Sequence, residues 1–316
     1  MKLFIEYIKA VFFGNTQRTA FPVSISIEPT NICNLRCTEC PSGLRNFTRD
    51  TGKINEFLFR KIIDEVYSRT FNLILYFQGE PYLHTEFTDL IKYASIDKKM
   101  FTVTSTNGHF LNKEAALKTI NCGLDKLIFS IDGTTQDVYQ TYRVGGNLQT
   151  VRENLIGLIR LKKELNSKTP YIVLQFLVSG KNEHQIEDIK RFAKESGVDK
   201  LELKTIQIYD YRNGNDLIPA NEKYSRYRKQ KDGTYSLKNK LKNSCFRLWN
   251  SSVITWDGDV IPCSFDKNAI FKFGNMNSIS FKEINNSETY KNFRKMLNSD
   301  RKKIEICRNC TEGLEI

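Results

Sequence analysis

No run of apolar residues in the 316-residue chain approaches the length needed to cross a bilayer. The apolar positions of Met1–Phe13 are interrupted by Glu6 and Lys9, and no small-residue cleavage site follows them. That excludes a signal peptide. The segment reads as a short amphipathic helix leading into the fold, with attachment to a membrane surface as the sharper alternative. Internal repeats and low-complexity stretches are lacking as well, which excludes repeat arrays. Without a secretory signal, eight cysteines argue against a disulfide framework. They point to metal binding in a reducing, cytoplasmic setting.

What is present is a globular composition, 40% hydrophobic, long enough for one large domain or one large and one small. The 48 basic residues outnumber the 36 acidic ones. Such an excess suits an anionic substrate or nucleic acid, but it is spread along the chain, as on a solvated basic surface. Strand-like runs alternate with helix-like runs. The strands read as 23–27, 72–77, 101–105, 126–131, 171–178 and 200–207. The helices between them include one capped by Asn55, one over 84–98, one over 112–121, one over 148–165 and one over 183–196 stopped by Gly197. Six β/α steps predict a parallel α/β barrel or sheet.

After the first strand comes Glu28-Pro-Thr-Asn-Ile-Cys33-Asn-Leu-Arg-Cys37-Thr-Glu-Cys40-Pro41. Four thiolates would complete a 4Fe–4S cluster, whereas three leave one iron open for chemistry. A zinc knuckle or a redox pair is the bland reading of the triplet alone. Other polar residues fall at strand ends: Gln78-Gly79-Glu80-Pro81, Asn107, and Ser130 with Asp132. In parallel α/β folds those ends share one rim, where active sites are built. Taken singly, Gly79-Glu80-Pro81 could be an ordinary turn, Ser130-Ile-Asp132-Gly a helix cap, and the later Arg143 a surface charge.

The C-x3-C-x2-C spacing, set in a strand-then-loop context, resembles the signature of the radical SAM superfamily. The resemblance covers residues 20 to 316 and implies a partial (β/α)6 TIM-type barrel over 21–208, after a lead-in helix over 1–20. It implies that Cys33, Cys37 and Cys40 hold a 4Fe–4S cluster whose open iron binds S-adenosylmethionine (SAM). One electron then cleaves SAM to methionine and a 5′-deoxyadenosyl radical. It further implies that Gln78, Gly79 and Glu80 receive the SAM ammonium, with Asn107 on the same rim. Ser130 and Asp132 meet the ribose, and Arg143 meets the SAM carboxylate. Two departures stand out. Glu39 occupies a position that is usually aromatic or bulky, and Gln78 stands where the family has glycine.

Regular periodicity fails over 209–244, which reads as a linker lining the barrel mouth. Its Tyr224, Arg226, Tyr227 and Arg228 offer a single-strand nucleic-acid groove as the alternative. Beyond it stand Cys245, Cys263, Cys307 and Cys310, with a hairpin signal at Asp257-Gly258-Asp259. By spacing alone these four would favour zinc. Beside the first motif they resemble a shortened SPASM domain over 245–316, a small cysteine-rich iron–sulfur domain with ligands for one auxiliary 4Fe–4S cluster. Phe273-Gly274-Asn275-Met276 and Tyr290, Phe293 and Arg294 add to that likeness.

The resemblance implies hydrogen abstraction from an unactivated carbon, fed by an external one-electron reductant of flavodoxin or ferredoxin type. An auxiliary cluster near the substrate would accept the second electron of an oxidation. Arg143, Asp266 and the tyrosines of 209–244 are the candidate bases. Seven cysteines belong to clusters, and Cys122 precedes its strand on the opposite rim, a structural position. About twenty residues precede the first strand, too few for a leader-binding domain. This favours a small polar substrate such as a sugar, an aminocyclitol or a conjugate. The alternatives are a maturase acting on a ribosomally made peptide and a non-enzymatic, metal-stabilised binding module. No appended RNA-binding domain is visible, which argues against a nucleic-acid partner.

Overall fold

Alternation along short strands sets the architecture. In β1 (Ser24–Ile27), Ile25 and Ile27 are fully buried beneath helices, while Ser24 and Ser26 take the other face. In β4 (Lys126–Ser130), Leu127 and Phe129 join the helix layer, and Ile128 packs with Val103 and Val173 inside the barrel. The same period of two carries Ser130 to the inner face. The computed structural model of the chain describes residues 1–311.

β1, β2 (Asn72–Ile74), β3 (Phe101–Thr106), β4, β5 (Tyr171–Val178) and β6 (Lys200–Thr205) pair in sequence order, all parallel. Helices return the chain between them. The helix Glu56–Val66 starts at Asn55, whose side chain accepts from the Leu58 amide at 2.8 Å. It buries Leu58, Phe59, Ile62, Ile63 and Val66, worth roughly 1.5–3 kcal/mol each. The helix Leu148–Glu164 buries Val151, Leu155, Leu158 and Ile159 in the same layer. Gly197, at φ 76°, ends the helix Ile186–Ser196.

The segment expected as a plain linker contains a hairpin, β7 (Tyr227–Lys229) with β8 (Tyr235–Leu237). Tyr227 is 2% exposed, stacks on Tyr211 at 4.3 Å, and its hydroxyl donates to the Ile208 carbonyl. Arg226 donates to the Thr205 carbonyl. Tyr227 and Arg226 thus pack onto the end of β6, while Arg228 is exposed, so Tyr224, Arg226, Tyr227 and Arg228 do not share one face as a groove would need.

The cysteine-rich region does not stand apart from the barrel. β9 (Ser251–Ile254) pairs in parallel with β1. β10 (Asp259–Ile261) and β11 (Gly274–Asn275) extend the sheet antiparallel, giving the order β11-β10-β9-β1-β2-β3-β4-β5-β6. The β9–β10 turn carries Gly258 at φ 92°, as the Asp-Gly signal predicts. Helices Phe281–Asn285 and Glu288–Asp300 close this end. No helix among the described residues is long and apolar enough to cross a membrane. The lead-in helix, Lys2–Phe13, packs through Tyr7 on Phe246 and Trp249. Its Phe12 and Phe13 are exposed.

Candidate active site

The cysteine triplet lies between β1 and the short helix Pro41–Leu44, with Cys40 just before the proline. Proline at the first helical position sacrifices no hydrogen bond, so the loop turns sharply there. A Cβ on Gly43 would stand 2.4 Å from the Cys37 nitrogen, so only glycine lets the helix close over the loop. The Arg36 and Thr38 amides donate to the Val144 and Tyr142 carbonyls, pinning the loop against the turn that carries Arg143. Cys33 and Cys40 are half-buried and Cys37 is buried. Burial pushes the Cys37 thiol up to about 12 and raises Cys33. Metal binding there must displace protons, because the thiolate is the ligand.

The strand-end residues converge on this loop. Gly79, at φ 76°, passes so close that a Cβ would meet the Thr30 carbonyl oxygen at 2.4 Å. Its amide donates to Ser42 Oγ at 2.9 Å, and the Glu80 amide donates to the Ile32 carbonyl. Gln78 is buried beside Ser42, with Oε1 accepting from its hydroxyl at 3.5 Å. The Glu80 carboxylate accepts from Thr106 Oγ1 at 2.8 Å, the Asn107 amide at 2.7 Å and the Tyr82 amide at 3.2 Å. A carboxylate has about four acceptor positions, so one remains. Desolvation raises Glu80 to about 6, against those three bonds. Asn107 Nδ2 donates to Asn34 Oδ1 at 2.8 Å and lies 3.9 Å from Cys33 Sγ.

Asp132 is buried, with Oδ1 taking the Leu177 amide at 2.8 Å and Oδ2 taking Arg143 Nε at 2.5 Å. Among the described residues only Nε of Arg143 is engaged, which leaves both terminal nitrogens of a largely buried cation for a ligand. Its charge interacts with Cys37 as well as with Asp132. Ser130 is buried, and its hydroxyl makes no hydrogen bond among the described residues. Residues from five separate stretches, 33–40, 78–80, 107, 130–132 and 143, thus lie at the same rim.

The second set also gathers. Cys263, whose thiol burial raises, interacts electrostatically with Cys310, Cys245 and Cys307. Arg301 Nη2 donates to Cys310 Sγ at 3.3 Å. All eight cysteines are free thiols. No three His, Cys, Asp or Glu side chains among the described residues converge as ligands of one ion do. Residues 312–316 of the expected auxiliary region lie outside the described residues.

The two sets are welded by residues that sequence reasoning did not single out. Arg49 pairs with Glu28 through two bonds, at 2.7 and 2.6 Å, and its Nε donates to the Lys267 carbonyl. The Trp256 amide donates to the same Glu28 carboxylate at 3.3 Å. Between the sets lies a cavity of about 320 Å³ lined by Pro41, Gln207, Tyr209, Lys267, Asn268 and Glu305, among others. Asp266 faces it, buried, with each of its oxygens accepting one backbone amide, of Ile270 and of Phe271. Glu39, the family departure, accepts the Tyr209 amide at 2.9 Å and so ties the cysteine loop to the end of β6. Burial raises the Tyr209 hydroxyl and holds the Lys267 ammonium below the usual lysine range. Cys122 sits elsewhere, buried, with Sγ on the Thr119 carbonyl at 3.2 Å.

A parallel barrel with an open thiol triplet at its rim and a second thiol set beside it defines a cofactor-dependent enzyme of the iron–sulfur class. The radical SAM superfamily model matches residues 27–193, and a model described as an iron–sulfur cluster-binding domain, SPASM, matches residues 245–311. The chain belongs to the radical SAM superfamily and carries a C-terminal SPASM domain, and these domains imply SAM and iron–sulfur clusters as cofactors. A non-enzymatic module is thereby set aside.

Among curated relatives, the chain is similar to the tungsten-containing aldehyde ferredoxin oxidoreductase cofactor-modifying protein of Pyrococcus furiosus. The two are 27% identical over 300 residues, covering 85% of this chain and 82% of the relative. A GTP 3′,8-cyclase of Limosilactobacillus fermentum is 29% identical over 207 residues, 63% of this chain and 58% of that protein. The PqqA peptide cyclase of Bradyrhizobium diazoefficiens is 23% identical over 201 residues, 63% and 51%. Among solved structures, BtrN in complex with AdoMet and 2-DOIA matches with a TM-score of 0.58 at 19% identity, covering 93% of this chain and 94% of that one. Streptococcus suis SuiB bound to S-adenosylmethionine matches with 0.65 at 14%, covering 93% and 73%. At such identities the likeness is one of fold.

Proposed function

We propose that the chain oxidises a small polar molecule, of the size of a sugar, an aminocyclitol or a conjugate, in the cavity between its two cysteine sets. In this reading Cys33, Cys37 and Cys40 hold the SAM-binding 4Fe–4S cluster, and Cys245, Cys263, Cys307 and Cys310 hold one auxiliary 4Fe–4S cluster. The Gln78–Glu80 turn takes the SAM ammonium through the remaining acceptor of Glu80. Ser130 and Asp132 take the ribose, Asn107 steadies the loop at Cys33, and the free nitrogens of Arg143 take the SAM carboxylate. An external one-electron reductant, of flavodoxin or ferredoxin type, feeds the first site. Residues 21–208 form the catalytic barrel and 245–316 the auxiliary domain.

The single observation that carries this reading is the cavity, placed between the two thiol sets and near 320 Å³. That is the low end of small-molecule pockets. Oxidation of an alcohol to a carbonyl removes a hydrogen atom, an electron and a proton; the 5′-deoxyadenosyl group released from SAM would take the hydrogen atom and an auxiliary cluster would take the electron. The protein must supply a proton acceptor. Each oxygen of the buried Asp266 already accepts a backbone amide, and Arg143 is a cation paired with Asp132 and assigned to the SAM carboxylate. Glu305 lines the cavity with no bond to its carboxylate among the described residues, and we assign it that role. A second reading, modification of a ribosomally made peptide, draws on the PqqA peptide cyclase relative. The same cavity would then admit one side chain of the peptide.

The test is anaerobic. About eight irons per chain are expected after reconstitution, falling by half when Cys33, Cys37 and Cys40 are replaced together, with SAM cleavage lost in that variant. A substrate of the first class should yield a product two mass units lighter, one-to-one with 5′-deoxyadenosine. Zinc in place of iron, without cleavage, would sink the reading.

A further inference from the structure

Lys267 is a cation with no salt bridge among the described residues, the negative groups that act on it being Cys40 and, at longer range, Glu39. Lys267 follows Cys263 by four residues, and the Arg49 guanidinium fixes its backbone through its carbonyl. The side chain crosses the face of Tyr209, with Nζ 4.9 Å from the ring centre, and enters the cavity between the thiol sets. Its only hydrogen bond among the described residues is a long one, 3.4 Å, to the neutral amide oxygen of Gln207. No carboxylate forms a salt bridge with it among those residues. The carboxylates nearby are turned to other work: Glu39 to the Tyr209 amide, Asp266 to the Ile270 and Phe271 amides. Arg226 adds a second positive charge, with Nη1 buried and unpartnered. A half-buried ammonium with one weak partner is costly unless something anionic joins it.

We propose that Lys267 anchors an anionic group of the substrate, so that the molecule oxidised here is acidic, carrying a carboxylate or a phosphate. This rests on the reading of the cavity as the substrate site. It assigns two lining residues of that cavity opposite tasks, with Lys267 holding the acidic group and Glu305 receiving the proton of the hydroxyl on the carbon being oxidised. Lysine recognises either anion as a point charge, so the geometry fixes the charge and not the shape of the group.

The probe is pyridoxal 5′-phosphate, an aldehyde that carries its own anion and forms a Schiff base with an amine held in an anion site. The anaerobic reconstituted holoprotein is treated with it and cyanoborohydride, and the modified lysines are mapped by mass spectrometry. Lys267 is expected to be labelled at least tenfold faster than the average of the exposed lysines, and the label should vanish in Lys267→Gln. Protection by inorganic phosphate but not malonate assigns a phosphoryl group; the reverse assigns a carboxylate. Labelling at or below the average rate, or labelling that neither anion slows, overturns the proposal. SAM cleavage is measured on the same sample. An active protein with an unlabelled Lys267 loses only the anion site. An inactive protein with a labelled, protected Lys267 loses the oxidase reading and keeps the site.

Discussion

Glu28 and Arg49 form a two-pronged ion pair, at 2.6 and 2.7 Å, with the glutamate side chain wholly buried and the arginine nearly so. The pair closes the loop that holds the cysteine triplet, and its other bonds reach Trp256 and Lys267 of the SPASM domain. Removing one partner leaves a charge in the interior. Arg49→Met should therefore cost about 3–5 kcal/mol in unfolding free energy, measured by denaturant titration under anaerobic conditions. Glu28→Met should cost a similar amount. The double replacement should recover most of the loss, since both charges are gone. Additive single costs would show that the pair does not act as a unit.

Two glycines permit the close approach of loop and turn, and each should fail in its own way. Gly43→Ala brings a methyl group to 2.4 Å from the Cys37 nitrogen. The triplet should lose its iron while the second set keeps its own, leaving about four irons per chain. Gly79→Ala adds strain from its positive φ to an overlap with the Thr30 oxygen at 2.4 Å. Iron should then stay near the parent content while SAM affinity drops tenfold or more. Equal iron loss in both variants would mean that the two contacts support the cluster alone.

How much of this was readable from residues in order depends on the range of the interaction. The triplet, the Gly79 turn and the Ser130–Asp132 strand end are local patterns, and alternation along β1 and β4 places their side chains. The β7–β8 hairpin was local too, with an Asp232-Gly233 turn, but its strands have three residues each and carry arginine and lysine, so no apolar period marks them. Glu28 gave one hint, an acidic residue directly after a buried strand. Lys267 gave none, being one base among 48. Its meaning lies in Tyr209 and Gln207, which reach it only through the fold. The joining of β9 to β1 is likewise a long-range choice, since both are short apolar strands with several available neighbours.

Burial raises Glu80 to about 6, so its charge changes within an accessible range. The sign follows from the ligand it is proposed to hold. Above pH 6 the carboxylate attracts the SAM ammonium; below it the neutral acid does not. SAM affinity should fall by up to about tenfold per unit as pH drops below 6. Because burial favours the neutral acid, ionisation costs the free protein some stability above pH 6, which a bound ammonium offsets. SAM should then raise the melting temperature more at pH 7.5 than at pH 5.5. In Glu80→Gln both dependences should flatten. A profile unchanged by that replacement would remove Glu80 from the SAM site.

Cys122 separates oxidation from hydrogen return. An epimerase needs a hydrogen-atom donor near the substrate carbon, usually a thiol, and seven of the eight cysteines lie in the two sets already described. Cys122 caps the helix Lys113–Asn121, where the chain enters β4, with its thiol bonded to the Thr119 carbonyl and pushed up to about 11 by burial. The rim that carries Ser130 is at the other end of that strand. Cys122→Ala should cost about 1 kcal/mol of stability through lost packing and leave 5′-deoxyadenosine formation within twofold of the parent. The decisive readout is solvent deuterium. Oxidation puts none on the reacting carbon, in the parent or the variant. Deuterium incorporated by the parent and lost in Cys122→Ala would make this thiol the hydrogen donor and the reaction an inversion.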